Sequence, residues 1–202
     1  MKKLVLAALC FLFALPVFAQ IQPQGFSVGL HTSGMFPLGD YSHYSTANVG
    51  GGADLEYSFT EDQQPFGEKI HIGLLFTVGY SHSFIKEDTP LSSLNDMLID
   101  AGLSLRISTV DKEKFKMALV PEMGCGFVFH FPKSEDGSEL DAVYMNPLIL
   151  LTPSVRFILP KNLEVMVNPI YTIAFEKSAV QQELGLQLGI VWHISDFLDG
   201  RN

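Results

Sequence analysis

Gln187-Leu188-Gly189-Ile190-Val191-Trp192-His193-Ile194, close to the end of the chain, decides how the rest is read. With the residues just before it, this stretch splits into two rows. Leu184, Leu186, Leu188, Ile190, Trp192 and Ile194 are apolar, whereas Glu183, Gly185, Gln187, Gly189, Val191 and His193 are mostly small or polar. A period of two is the signature of a β-strand with two different faces. Ordinary strands run about five or six residues; this run is longer and approaches the roughly 9–11 tilted residues that cross a bilayer. The expectation is a membrane-crossing strand with Leu and Trp against lipid.

Seven similar runs precede it, at 26–36, 49–60, 70–81, 97–109, 115–130, 146–159 and 163–173. In the third, Ile70, Ile72, Leu74, Phe76, Val78 and Tyr80 oppose His71, Gly73, Leu75, Thr77, Gly79 and Ser81. Pro121 falls inside the fifth run, where a bend or bulge is expected. The first half of the sixth is apolar on both faces, which leaves its phase open. Eight strands joined as consecutive hairpins predict an all-β, up-and-down antiparallel barrel. The connections after strands two, four and six read as short. Those after one, three, five and seven (41–48 and 83–96 among them) read as longer, as in outer-membrane barrels with short periplasmic turns.

The first nineteen residues read as a signal peptide. Lys2 and Lys3 precede an apolar stretch from Leu4 to Leu15, and Val17-Phe18-Ala19 supplies a cleavage site, which implies export by the Sec route. The chain then divides into a leader, 1–19, and one barrel domain, 20–202. The whole chain carries 13 Lys+Arg against 22 Asp+Glu. The leader takes two lysines and no acid, which leaves the mature chain at −11. Nucleic acid is excluded as a partner by that balance. Charged residues make up 17% of the chain and mean hydropathy is +0.22, yet beyond the leader no apolar stretch reaches the length of a membrane helix. Alternation dilutes apolar residues in just this way. Cys125 is the one cysteine beyond the leader, so no internal disulfide forms; it reads as a small buried hydrophobe.

Alternation alone does not say which face is inside. An eight-stranded barrel has an interior just wide enough to be filled by side chains. The apolar row is too bulky for that space, while the other row is rich in Gly, Ser and Thr. The apolar row therefore faces lipid, and closure removes the unpaired edges that hydrocarbon does not tolerate. Aromatic residues near the strand ends, among them Phe26, Phe59, Tyr80, Phe129 and Tyr171, are the expected interface girdles.

Gln187-x-Gly189-x-x-Trp192-x-Ile194 resembles the assembly signal that ends many outer-membrane barrels. Gly34-Met35-Phe36-Pro37-Leu38-Gly39-Asp40-Tyr41 and Pro121-x-x-Gly124-x-Gly126-Phe127 are similar to stretches after the first strand and in mid-chain of small barrels of diderm bacteria. The likeness is to the eight-stranded outer-membrane class of OmpX, OmpW and the OmpA barrel, and spans Gln20 to about Ile194. It implies a place in the bacterial outer membrane. The partners it implies are outer-membrane lipid, periplasmic chaperones and the barrel assembly machinery, the last reached through Gln187, Gly189, Trp192 and Ile194. The tail beyond Ile194 departs from the pattern.

The inward row holds Asp54, Glu56, Asp100, Arg106, Glu122, Arg156 and Glu164. They are expected to form an ion-pair network that plugs the lumen, with each arginine bidentate to one carboxylate. The alternative is a narrow, cation-favouring path for small solutes, which would make the protein porin-like. His31, His71, His130 and His193 also point inward, at spacings unlike a zinc site. No metal, no cofactor and no catalytic residue is expected. The pairs His31-x-Ser33 and His193-x-Ser195 would suit a lipid A-modifying barrel, but His and Ser are common enough here for chance matches. The acidic stretch 132–141, with Glu135, Asp136, Glu139 and Asp141, reads as a solvated loop or as a contact for an extracellular ligand.

Overall fold

The computed structural model describes residues 23–59, 70–89, 91–112, 115–134, 143–159, 163–176 and 180–194. The leader, the tail after Ile194 and the acids at 135–141 lie outside the described residues. The strands are β1 (Pro23–Leu38), β2 (Ser45–Phe59), β3 (Ile70–Ile85), β4 (Leu91–Lys112), β5 (Phe115–Ser134), β6 (Tyr144–Leu159), β7 (Leu163–Phe175) and β8 (Val180–His193). A 3-10 turn, Gly39–His43, follows β1, entered through Gly39 at φ +58°. Only glycine adopts that backbone without strain. Each strand pairs antiparallel with the next, and β8 returns to β1, so the barrel is closed.

Paired residues can be followed once around the wall. The path from Val28 runs through Leu55, Phe76, Ala101, Cys125, Ile149, Ile173 and Gln182 and returns to β1 at Leu38. That stagger of ten residues is what tilts strands in a small closed barrel. The outer face is built from Leu30, Phe76, Tyr80, Met123, Leu184, Leu188, Ile190 and Trp192, all exposed. Their neighbours of opposite parity, Gln187 and Val191 among them, are buried. An exposed apolar belt around a polar interior inverts a soluble protein and requires hydrocarbon as its solvent.

The structure corrects several expectations. Strands run further than the alternation showed, because both faces turn polar beyond the belt while backbone pairing continues. Most of 83–96 is thus strand, and only 86–90 separates β3 from β4; likewise β2 begins at Ser45. Phe59 is buried, yet its ring stays edge-on to Tyr57 at 6.2 Å, which meets the exposed Phe26 at 4.4 Å, so it belongs with the aromatic residues of the outer wall. Cys125 is exposed on the outer wall, not buried.

Pro121 produces no bulge. It pairs with Pro153 in unbroken β5–β6 register. Instead, β4–β5 pairing is interrupted between Ser104–Glu122 and Ile107–Leu119, with no change of register. The β6–β7 seam has a matching gap between Leu151–Tyr171 and Val155–Val167, where Pro153 and Pro169 fall. A proline has no N–H to give, so the ladder skips where its nitrogen faces the neighbour.

Glycines on the inner wall admit larger partners. A Cβ on Gly52 would lie 2.6 Å from the Val78 carbonyl oxygen and 2.8 Å from His31 Nε2, whereas one on Gly34 would meet nothing within 4 Å. Gly52→Val should cost about 1–3 kcal/mol by overpacking, read as a lower urea midpoint of the refolded barrel, while Gly34→Ala leaves the midpoint unchanged.

Candidate functional site in the lumen

The interior side chains fall into three layers. The first lies toward the rim where β1 begins and β8 ends. Arg156 on β6 is flanked on the inner wall by the small residues Ala118 and Ser154, which leave its guanidinium free to cross the lumen. Its Nη1 donates to Glu56 Oε2 at 2.6 Å and its Nη2 to Glu122 Oε1 at 2.5 Å, while Glu164 Oε2 stands 3.7 Å away. Arg106 is bidentate to Glu164, whose Oε1 also lies 3.0 Å from His193 Nε2. Ser104 donates to Glu56 at 2.7 Å. Five of the seven expected residues therefore meet here. One detail differs: Arg156 bridges two carboxylates instead of gripping one, because Glu56 and Glu122 approach it from different strands. Arg156 is 2% exposed and Glu164 1%. Charges so removed from water persist only when paired this closely.

The second layer holds the other two. His31 Nδ1 lies 2.9 Å from Asp54 Oδ2, and Thr77 donates to Asp54 Oδ1 at 2.8 Å. Asp100 is buried and neither carboxylate oxygen has a hydrogen-bond partner. Neither aspartate reaches the arginines, so both stand apart from the network expected of them.

The third layer, toward the opposite rim, joins His130, expected inward, to residues the sequence reading did not place in a site. Asn48 and Thr172 donate to the two oxygens of Glu183 at 3.3 and 3.4 Å, and His130 Nδ1 lies 2.6 Å from Asp96 Oδ1. Their signal was parity: Asp96 shares a face with Asp100, and Glu183 with Gln187. Above them, in the 3-10 turn, the Tyr41 hydroxyl lies 3.5 Å from Ser83 Oγ, and its burial raises its pKa.

The inward row is not simply Gly, Ser and Thr. Val128, Leu148 and Ala174 form an apolar cluster with Leu98 against it, and Val120, Met166 and Ile170 are also buried on the inner wall. The open phase of β6 resolves with Leu148 and Leu150 inward and Ile149 and Leu151 outward. On β8, Gln187 accepts from Asn168 Nδ2 at 3.4 Å, Gly189 leaves room for Met166, and Trp192 is exposed. Ile194 adds one more bond to the closing seam, its N–H reaching the Phe26 carbonyl at 2.8 Å. Phe26 and Tyr80 are exposed on the outer wall, and Phe129 and Tyr171 are half-buried there; Tyr171 donates to Gln182 at 2.8 Å.

No protein-family profile matches the chain, and no curated protein matches it in sequence. Solved structures do match. Neisserial surface protein A (NspA) superposes with a TM-score of 0.50 at 12% identity, over 85% of this chain and 98% of that one. The chain has the fold of a small eight-stranded outer-membrane β-barrel. The attachment invasion locus protein Ail of Yersinia pestis gives 0.46 at 14% identity over 84% of this chain and 96% of its own. The N-terminal barrel of Pseudomonas aeruginosa OprF gives 0.47 at 12% over 85% and 100%. At these identities the likeness concerns the fold. The apolar belt and filled interior are this barrel's own features.

Proposed function

We propose that this outer-membrane barrel is a closed structural and surface-interaction protein rather than an open pore. The observation that carries the reading is Arg156: fully buried and bridged to Glu56 and Glu122, it fills the lumen where a solute path would pass. Lipid is the partner of the outer wall. The β8 pattern through Gln187, Gly189, Trp192 and Ile194 is the handle for periplasmic chaperones and the assembly machinery, and the acidic segment 135–141 is the contact for an extracellular ligand. No catalytic role is proposed for any residue. Purified barrel in planar lipid bilayers should give no discrete conductance steps. Reproducible cation-selective steps would replace this reading with that of a narrow channel.

A further inference from the structure

We infer that the third layer of the lumen is a binding site for one compact monocation, an alkali ion or an ammonium group. The layer borders a partly open cavity of about 50 Å³, room for only a very few small groups. Asp96, Glu183, Asn48 and Gln181 line it together with the apolar residues Leu98, Val128 and Leu148. None of the residues lining it is lysine or arginine.

The charges there do not balance. Asp96 is matched by His130, whereas the donors to Glu183 among the described residues, Asn48, Thr172 and Gln181, are all neutral. A buried carboxylate without a counter-charge is costly, and neutral hydrogen bonds offset only part of that cost. Asn48 and Gln181, 2% and 5% exposed, each keep a side-chain oxygen, Oδ1 and Oε1, that meets no donor. The amide nitrogen of Asn48 is already committed to Glu183, so its free oxygen is an acceptor waiting for a donor or a cation. Unpaired buried acceptors call for an occupant. Two amide oxygens and an unmatched carboxylate around one small cavity select a positively charged one. The set lacks the clustered His, Cys and acid ligands of a transition-metal site; none occurs among the described residues. Mixed carbonyl and carboxylate oxygens suit a hard cation or an ammonium group instead. The site is blind, because Arg156 closes the lumen beneath it.

The full mature chain, refolded in detergent micelles at pH 8, provides the test. Its unfolding midpoint is followed while N-methylglucamine chloride is exchanged at constant ionic strength for potassium, sodium, ammonium or methylammonium chloride. Binding to the folded state alone raises the midpoint in a saturable way. One or more of the compact cations should do this relative to N-methylglucamine, and the ranking among them separates an alkali-ion site from an amine site. Glu183→Gln should abolish the response. Asn48→Leu, which keeps the carboxylate, should weaken the apparent affinity about tenfold, the loss of one charge-assisted ligand. Identical midpoints in all the salts would overturn the proposal and assign the cavity to water or a protonated Glu183. So would an undiminished response in either variant. Should Glu183→Gln not fold, the wild-type salt series and Asn48→Leu decide alone.

Discussion

Replacing Arg156 with alanine should destabilise the barrel by about 3–5 kcal/mol, the cost of breaking a buried ion pair and stranding its partners. The variant leaves Glu56 and Glu122 facing the lumen with no cation, and Glu164 with Arg106 and His193 only. Urea unfolding in lipid vesicles, followed by tryptophan fluorescence at Trp192, reads the effect. A companion variant separates charge from volume. With Arg156→Met, Glu56→Leu and Glu122→Leu combined, the unpaired charges vanish, and well-packed apolar replacements of buried ion pairs are often neutral or stabilising. The triple variant should therefore be more stable than Arg156→Ala alone. If Arg156→Ala unfolds at the wild-type urea concentration, the network is not what holds this end of the lumen.

The second large effect lies on the other side of the same wall. Leu188 is 51% exposed in the middle of the β8 outer row. An arginine there should cost about 2–4 kcal/mol, falling to about 0–1 at the interface, where Trp192 stands. The gradient between Leu188→Arg and Trp192→Arg, measured by urea titration followed by circular dichroism because the second variant removes the chain's one tryptophan, tests that this face meets hydrocarbon and that Trp192 marks its edge. Equal costs at the two positions would mean that the row does not cross a bilayer.

Both predictions rest on parity, and parity was the part of the structure most legible from the chain. It assigned Leu188 outward and Arg156, Glu56 and Glu122 inward without any knowledge of register. It also decided the closed topology, since eight two-faced runs in hydrocarbon have no other stable arrangement. What it could not supply was height and partner. Asp54 and Arg156 share a face, but the ten-residue stagger places Asp54 beside His31 and Thr77. Phe59 shows a second limit: alternation placed it with the outer aromatic residues but did not show that the ring would be buried there. The third is β6, where Leu148, Ile149, Leu150 and Leu151 are apolar in succession, so only the packing of Val128 and Ala174 against Leu148 fixed the phase. Asp96 and Glu183 were visible as charges and absent as a site: Asp96 lay in a stretch that reads as a loop until backbone pairing is seen to continue, and Glu183 lay on the inner row of the last strand with no partner in view.

The seam between β8 and β1 also sets an order in time. Every other seam joins strands adjacent in the chain, so a hairpin can form it locally. Here Thr32 meets Leu188, 156 positions away. Bringing such distant segments together costs more chain entropy and slows folding relative to local pairings. Until β8 arrives, β1 waits with an open edge, the state most prone to pair with a wrong partner. The stretch that ends the ladder is thus the last to be made and the one whose arrival turns a sheet into a barrel.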